Sequence, residues 1–341
     1  MRTLAVRLDS LGDVIVTGPA VRALAASGDD VTLLCGARGR AAGELLPGVG
    51  RVLEWTAPWI DPEPAPVAAE DIEALRSMVA AEHFDRALIF TSFHQSPLPT
   101  ALVLRLAGVP WIGAISVDYP GSLLDLRLTD VPDDIPEHQR ALRLVRAAGY
   151  ALPPDDDGLP RVKKPAGLAA APAPYLVLHP GTSVPARAWP AEHFRAAADR
   201  LAARGHRVVV TGSKDEESLT KYVADGARGN VHDLGGRLDL AELAAVLAAA
   251  ECVVVGNTGP AHLAAAVGTP VVSLFAPTVP AVRWAPQGAP VTLLGDQHAP
   301  CRNTRATVCP VPEHPCLASV TPDQVVDAVE RLCGHAAKEP A

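Results

Sequence analysis

The chain has 341 residues, about twice the size of one α/β unit. Its 48% hydrophobic content supplies two buried cores, filled by Ala, Val and Leu because aromatic residues are only 4%. A net charge of −8 without a Lys/Arg stripe excludes a nucleic-acid grip, and no signal-like apolar leader or run of about 20 apolar residues occurs, which predicts a cytoplasmic protein.

In the first half, the short apolar runs 3–8, 31–35, 86–90 and 111–115 predict strands. The stretches 14–27, 72–84 and 99–108 between them carry helical periodicity. Continuous apolar strands separated by helices predict a parallel sheet covered on both faces. Residues 152–174 are Pro-rich, with neither pattern, and mark a boundary between domains 1–160 and 161–341. The alternation then restarts, with strands at 175–181, 207–212, 252–256 and 270–275. Helices are expected at 190–205, 216–229, 240–250, 260–268 and 322–333. Ligands of open α/β sheets sit outside the carboxyl ends of strands, so two such domains predict a cleft. The irregular insertion 56–70 is expected to line it.

Four strand ends carry unusual chemistry. The first places Gly12 and Asp13 at the start of a helix, where the dipole favours a carboxylate. Asp13 reads either as a helix cap or as a general base on the acceptor side, with Asp9 a competitor nearer the strand. The second end has Thr182, Ser183 and Arg187 before a helix, an arrangement of donors and a cation that suits phosphate. Its plain alternative is a polar loop with a solvated Arg. The third has Asn257, Thr258 and Gly259 before Pro260, with His262 one turn in. Pro260 suits a first helical turn, and the N–H groups of Thr258, Gly259 and Ala261 would face an anion. A Pro-initiated helix with a satisfied His is the bland version. The fourth has Asp215, Glu216 and Glu217 opening a helix, either as ribose acceptors or as ordinary first-turn residues.

Neither GxGxxG nor GxxxxGK[ST] occurs, which disfavours a nicotinamide fold and a P-loop kinase. None of these four strand ends carries a DxD triplet of the kind that holds a metal on a sugar nucleotide, so charge on a leaving diphosphate falls to Arg187 and helix N-termini. Cys301, Cys309 and Cys316 cluster near His298 and His314, but without paired CxxC spacing they read as a Cys-packed or locally bridged loop rather than a zinc site. Cys35 and Cys252 read as small buried hydrophobes.

The order of motifs resembles glycosyltransferase family 9, the ADP-heptose:lipopolysaccharide heptosyltransferases. LGDVIVTGPAVRAL (11–24), HPGTS (179–183) with RAWP (187–190), VVVGNTGPAHLAAAVGTPVVSLFAPT (253–278), the Cys-containing loop and TPDQVVDAV (321–329) carry the likeness over nearly the whole chain. The resemblance implies a GT-B fold, with two Rossmann-like domains whose parallel sheets face a central cleft. It implies an acceptor-binding N-terminal domain and a nucleotide-sugar-binding C-terminal one, with inversion at the anomeric carbon and neither metal nor cofactor. Asp13 maps onto the general base. Thr182, Ser183 and Arg187 fall where the family holds the donor diphosphate, and Asn257, Thr258, Gly259 and His262 on its phosphate and sugar loop. Glu216, or Asp215 one place earlier, falls on the ribose contact. Two positions depart: Asn257 stands where well-known members carry Asp, and Arg187 where Lys is common. The implied partners are an ADP-sugar and a glycan, glycolipid or small-molecule acceptor, with no nucleic acid and at most peripheral membrane contact. A GT-B transferase using another sugar nucleotide and a catalytically inactive sugar-nucleotide binder are the alternatives.

Overall fold

A computed structural model describes residues 1–163, 174–226 and 230–336. The chain divides into two compact units, Met1–Lys163 and Lys164–Ala341. In the first, β1 (Arg2–Arg7), β2 (Asp30–Cys35), β3 (Arg51–Glu54), β4 (Arg86–Ile89), β5 (Ile112–Ile115) and β6 (Leu126–Leu128) form a parallel sheet in the order 3-2-1-4-5-6. β1 is central, with Val6 opposite Leu34 on one side and Ile89 on the other. In the second, β7 (Leu176–His179), β8 (Val208–Val210), β9 (Val231–Asp233), β10 (Cys252–Gly256), β11 (Val271–Leu274) and β12 (Val291–Leu294) are ordered 12-11-10-7-8-9, again all parallel. The two orders are the same winding: each begins at a central strand, runs to one edge, then returns to the other side.

The interior strands are the apolar runs anticipated from sequence, because both their faces are covered. β1, β2, β5, β7, β8, β10 and β11 are almost wholly buried. The edge strands β3, β6, β9 and β12 are absent from the expected set, and so is helix Glu137–Ala147, which packs on helix Leu11–Ala26. The expected helix 216–229 is a short 3-10 turn, Lys214–Glu216, followed by helix Glu217–Ala224; residues 227–229 lie outside the described residues. The insertion 56–70 stays irregular up to helix Ala69–Glu82 and is tied down by Trp59, whose Nε1 donates to Thr100 Oγ1 at 3.1 Å.

The described part of the Pro-rich segment is fastened to the first unit. Arg22 makes a bidentate pair with Asp156, both contacts at 2.7 Å, and also donates to Leu159 O. Residues 164–173 of that segment lie outside the described residues.

Two buried histidines set an acid limit on stability. Burial holds His138, in the first unit, and His179, in the second, down to about 4, against weaker opposing pulls from Asp157 and Glu216. In the unfolded chain each titrates near 6.5, so between those values the unfolded state binds more protons. Stability is present above about pH 6.5 and is lost as the pH falls towards about 4, by about 3 kcal/mol per histidine. Thermal melts from pH 7 to pH 4 are expected to show this decline, and a flat midpoint across that interval would contradict it.

Candidate active site

In the first unit the winding reverses between β1 and β4, so the loops leaving their carboxyl ends diverge and leave room for a ligand. Arg7 ends β1, Asp9 follows it, and Asp13 stands in the first turn of helix Leu11–Ala26 beside the buried Gly12. Arg7 is only 3% exposed and sits between two carboxylates: Nε is 3.0 Å from Asp9 Oδ2 and Nη2 is 2.8 Å from Asp13 Oδ1. Nη2 also donates to Ser92 Oγ, from the loop after β4, at 2.9 Å. Burial works against the Arg7 cation, but Asp9 and Asp13 outweigh it and its pKa rises.

The two carboxylates are not equivalent. Burial pushes the Asp9 pKa up against the pull of Arg7, and the Gln95 amide donates to its Oδ1 at 2.5 Å. Asp9 is thereby locked. Asp13 is more open, its side chain 19% exposed, and its Oδ2 accepts the Ser10 N–H at 3.2 Å. Asp13 thus closes the capping box of its helix and is held at the switch point by a buried cation. Arg7, Ser92 and Gln95 were not anticipated. The available signal was an arginine at the end of an otherwise apolar central strand.

The second unit reverses between β7 and β10, and β8 flanks β7 on its other side. Three of the flagged strand ends therefore meet. A Cβ on Gly181 would lie 2.1 Å from the Glu216 carboxylate, so only glycine lets Glu216 cross from the β8 end over the β7 loop. Glu216 is half-buried, with Oε2 accepting the Ser213 N–H at 2.8 Å, whereas Asp215 is exposed. Below it, His179 Nδ1 and Thr211 Oγ1 are 2.9 Å apart. Thr182 Oγ1 accepts the Val184 N–H at 3.3 Å, and Ser183 is exposed.

Arg187 closes the 3-10 turn Pro185–Arg187, and its Nη1 donates to Asn257 O at 3.3 Å. A Cβ on Gly256 would come within 3.2 Å of Arg187 O, so the turn and the β10 end approach backbone to backbone. Thr258 stands at the N-cap of helix Gly259–Ala266 without a side-chain capping bond, with Pro260 in the first turn. The Thr258 and Ala261 N–H groups, expected to face an anion, instead donate to Gly256 O at 2.9 Å and Thr258 O at 3.1 Å. His262 is 9% exposed and meets Trp284 edge-on, ring centroids 6.4 Å apart. The Asn257 amide is engaged with the main chain: Oδ1 accepts the Ala276 N–H at 3.3 Å and Nδ2 donates to Ala276 O at 3.4 Å. That residue ties the β10 and β11 ends together, while Thr258 and Gly259 stay half-open at the helix N-terminus.

All six cysteines are free thiols, and Cys301 and Cys316 belong to the core of the second unit. Burial, with Cys301 as neighbour, pushes the Cys316 thiol up to about 12. Of the two sequence readings, the Cys-packed loop is the one present. Among the described residues no group of three His, Cys, Asp or Glu side chains could hold a metal ion, and no helix is long and apolar enough to cross a membrane.

Two doubly wound parallel sheets, each with its polar residues gathered at the switch point, make this a GT-B fold. The structure of E. coli ADP-heptose lps heptosyltransferase II superposes with a TM-score of 0.77 at 19% identity, covering 99% of this chain and 100% of that one. The family model for glycosyltransferase family 9 (heptosyltransferase) matches residues 73–314, and the chain belongs to that family. Lipopolysaccharide heptosyltransferase 1 of Salmonella typhimurium is 28% identical over 297 residues, 82% of this chain and 90% of that protein. Lipopolysaccharide heptosyltransferase 1 of Pseudomonas aeruginosa is 38% identical over 143 residues, so the match spans 41% of this chain and only 40% of that relative.

Proposed function

We propose that the chain is an inverting glycosyltransferase that moves a heptose from ADP-heptose to a hydroxyl acceptor in lipopolysaccharide biosynthesis, with Asp13 as general base and without a metal. Residues 1–160 bind the acceptor and residues 161–341 the donor, in the cytoplasm and with at most peripheral membrane contact. The observation that carries this reading is the contrast between the two switch points. One presents a carboxylate steadied by Arg7 and Ser10. The other gathers Arg187, Glu216 and the open N-terminus of helix Gly259–Ala266. The names of the relatives supply heptose and ADP.

Asp13 accepts the acceptor hydroxyl proton as that oxygen attacks the anomeric carbon. A carboxylate suffices because the hydroxyl becomes strongly acidic only as the new C–O bond forms. The bond to the diphosphate breaks on the opposite face, and negative charge grows on the departing ADP. Arg187 and the N–H of Gly259 at the N-terminus of helix Gly259–Ala266 stabilise that charge, with Thr182 and Ser183 beside them. Glu216 accepts from the ribose hydroxyls, and His262 faces the sugar end. Asn257 contributes by holding the loop.

Isothermal titration with ADP, UDP, GDP and dTDP, each with and without EDTA, tests the donor side. ADP is expected to bind most tightly, with an affinity that EDTA leaves unchanged. Preference for another nucleotide would replace the donor, a loss with EDTA would restore a metal, and binding of none would overturn the reading.

A further inference from the structure

The loop after β12 grips the turn that carries Arg187. The Ala186 N–H donates to Thr307 O at 2.9 Å, and His314 Nε2 lies 3.1 Å from Ala186 O. A carbonyl oxygen only accepts, so Nε2 carries the proton. Ala186 is 1% exposed, so water cannot substitute for either bond.

The same loop is fastened at its other side. Asn303 and Arg305 donate their N–H groups to Pro277 O and Thr278 O, each at 2.8 Å. Its backbone departs from what its side chains prefer: Asn303, Arg305, Glu313 and His314 have φ of 60°, 57°, 65° and 48°. Left-handed residues without a glycine persist only where surrounding contacts over-determine them. Here those contacts are the bonds to Ala186, Pro277 and Thr278, with Cys301 and Cys316 buried at the loop's two ends. The loop therefore imposes a position on the turn. From the opposite side Gly256 closes in on Arg187 O, so the turn is gripped on two sides.

We infer that His314 is a positioning residue for Arg187: its bond to Ala186 O sets the turn so that the guanidinium, steadied by Asn257 O, meets the donor diphosphate. This rests on the donor assignment above. Titration of the full chain with ADP tests it. His314→Ala is expected to weaken ADP five- to tenfold, the worth of about one hydrogen bond. His314→Phe, which keeps the ring and lacks the donor, gives the same loss and stands in if the alanine variant does not fold. His314→Gln carries an N–H at the same remove from Cα and restores the affinity to within about twofold of wild type.

The decisive arm is the double variant with Arg187→Ala. If His314 acts through Arg187, its removal has no further effect there, whereas a general loosening of the unit would weaken ADP equally in both backgrounds. Unchanged affinity in both His314→Ala and His314→Phe, failure of glutamine to rescue, or losses that multiply would overturn the inference while the donor reading stands. Wild-type protein that binds no nucleoside diphosphate would overturn both.

Discussion

Asp13→Ala is expected to lower kcat by about 10²–10⁴-fold, with kcat/KM falling equally and ADP affinity within about twofold of wild type. The asymmetry follows from what the carboxylate touches. Its contacts are Arg7 and the Ser10 N–H, both within the first unit, so its loss disturbs neither Arg187 nor helix Gly259–Ala266. Folding survives because the buried Arg7 keeps Asp9 at 3.0 Å and Ser92 at 2.9 Å. An uncompensated buried cation would be far more damaging. Asp13→Asn is the sharper probe. Its single oxygen accepts from either the Ser10 N–H or Arg7 but not both, so it removes the proposed base and one of the two bonds while keeping the shape. Initial rates with ADP-heptose, read beside ADP titration, give the result. A kcat within threefold of wild type in both variants would dismiss Asp13 and turn attention to Asp9.

Arg187→Ala is expected to reduce kcat by about 10²–10³-fold and to weaken ADP, because a fixed cation at the leaving diphosphate gains strength as charge develops there. Arg187→Lys keeps the charge without the fork and is expected to recover all but about tenfold. The two substitutions separate charge from geometry. Alanine alone also removes the bond to Asn257 O, so lysine controls for loosening of the β10 loop. Equal losses in both would assign the guanidinium a geometric task, and no loss in alanine would take Arg187 out of the donor site.

What sequence could and could not reveal divides along physical lines. Strands covered on both faces have to be continuously apolar, and all eight interior strands stand out for that reason. Among the described residues β3, β6, β9 and β12 each have one side without a strand neighbour, and they run only three or four residues and are half-exposed, so no sustained alternation or long apolar run marks them. The polar strand ends were conspicuous as interruptions between buried strands and helices. Their partners were not. Ser92 lies 85 positions from Arg7, and Ala276 lies 19 from Asn257, so neither the buried ion network nor the pairing of the Asn257 amide with the Ala276 main chain has a local trace. The loop 301–316 drew attention through its cysteines, yet the residue that reaches the turn carrying Arg187 is His314, which a search for metal spacing treats only as a failed ligand.

The four unmatched sheet edges also bear on how the chain behaves at high concentration. A bare strand edge is a template for a second copy, and charge is the usual deterrent. β3 carries Arg51 and Glu54, β6 carries Arg127, and β9 carries His232 and Asp233. β12 reads VTLL, with Leu293 38% exposed, and has no such guard. Self-association during overexpression or concentration should begin there, and a single lysine at Leu293 is the change that would blunt it.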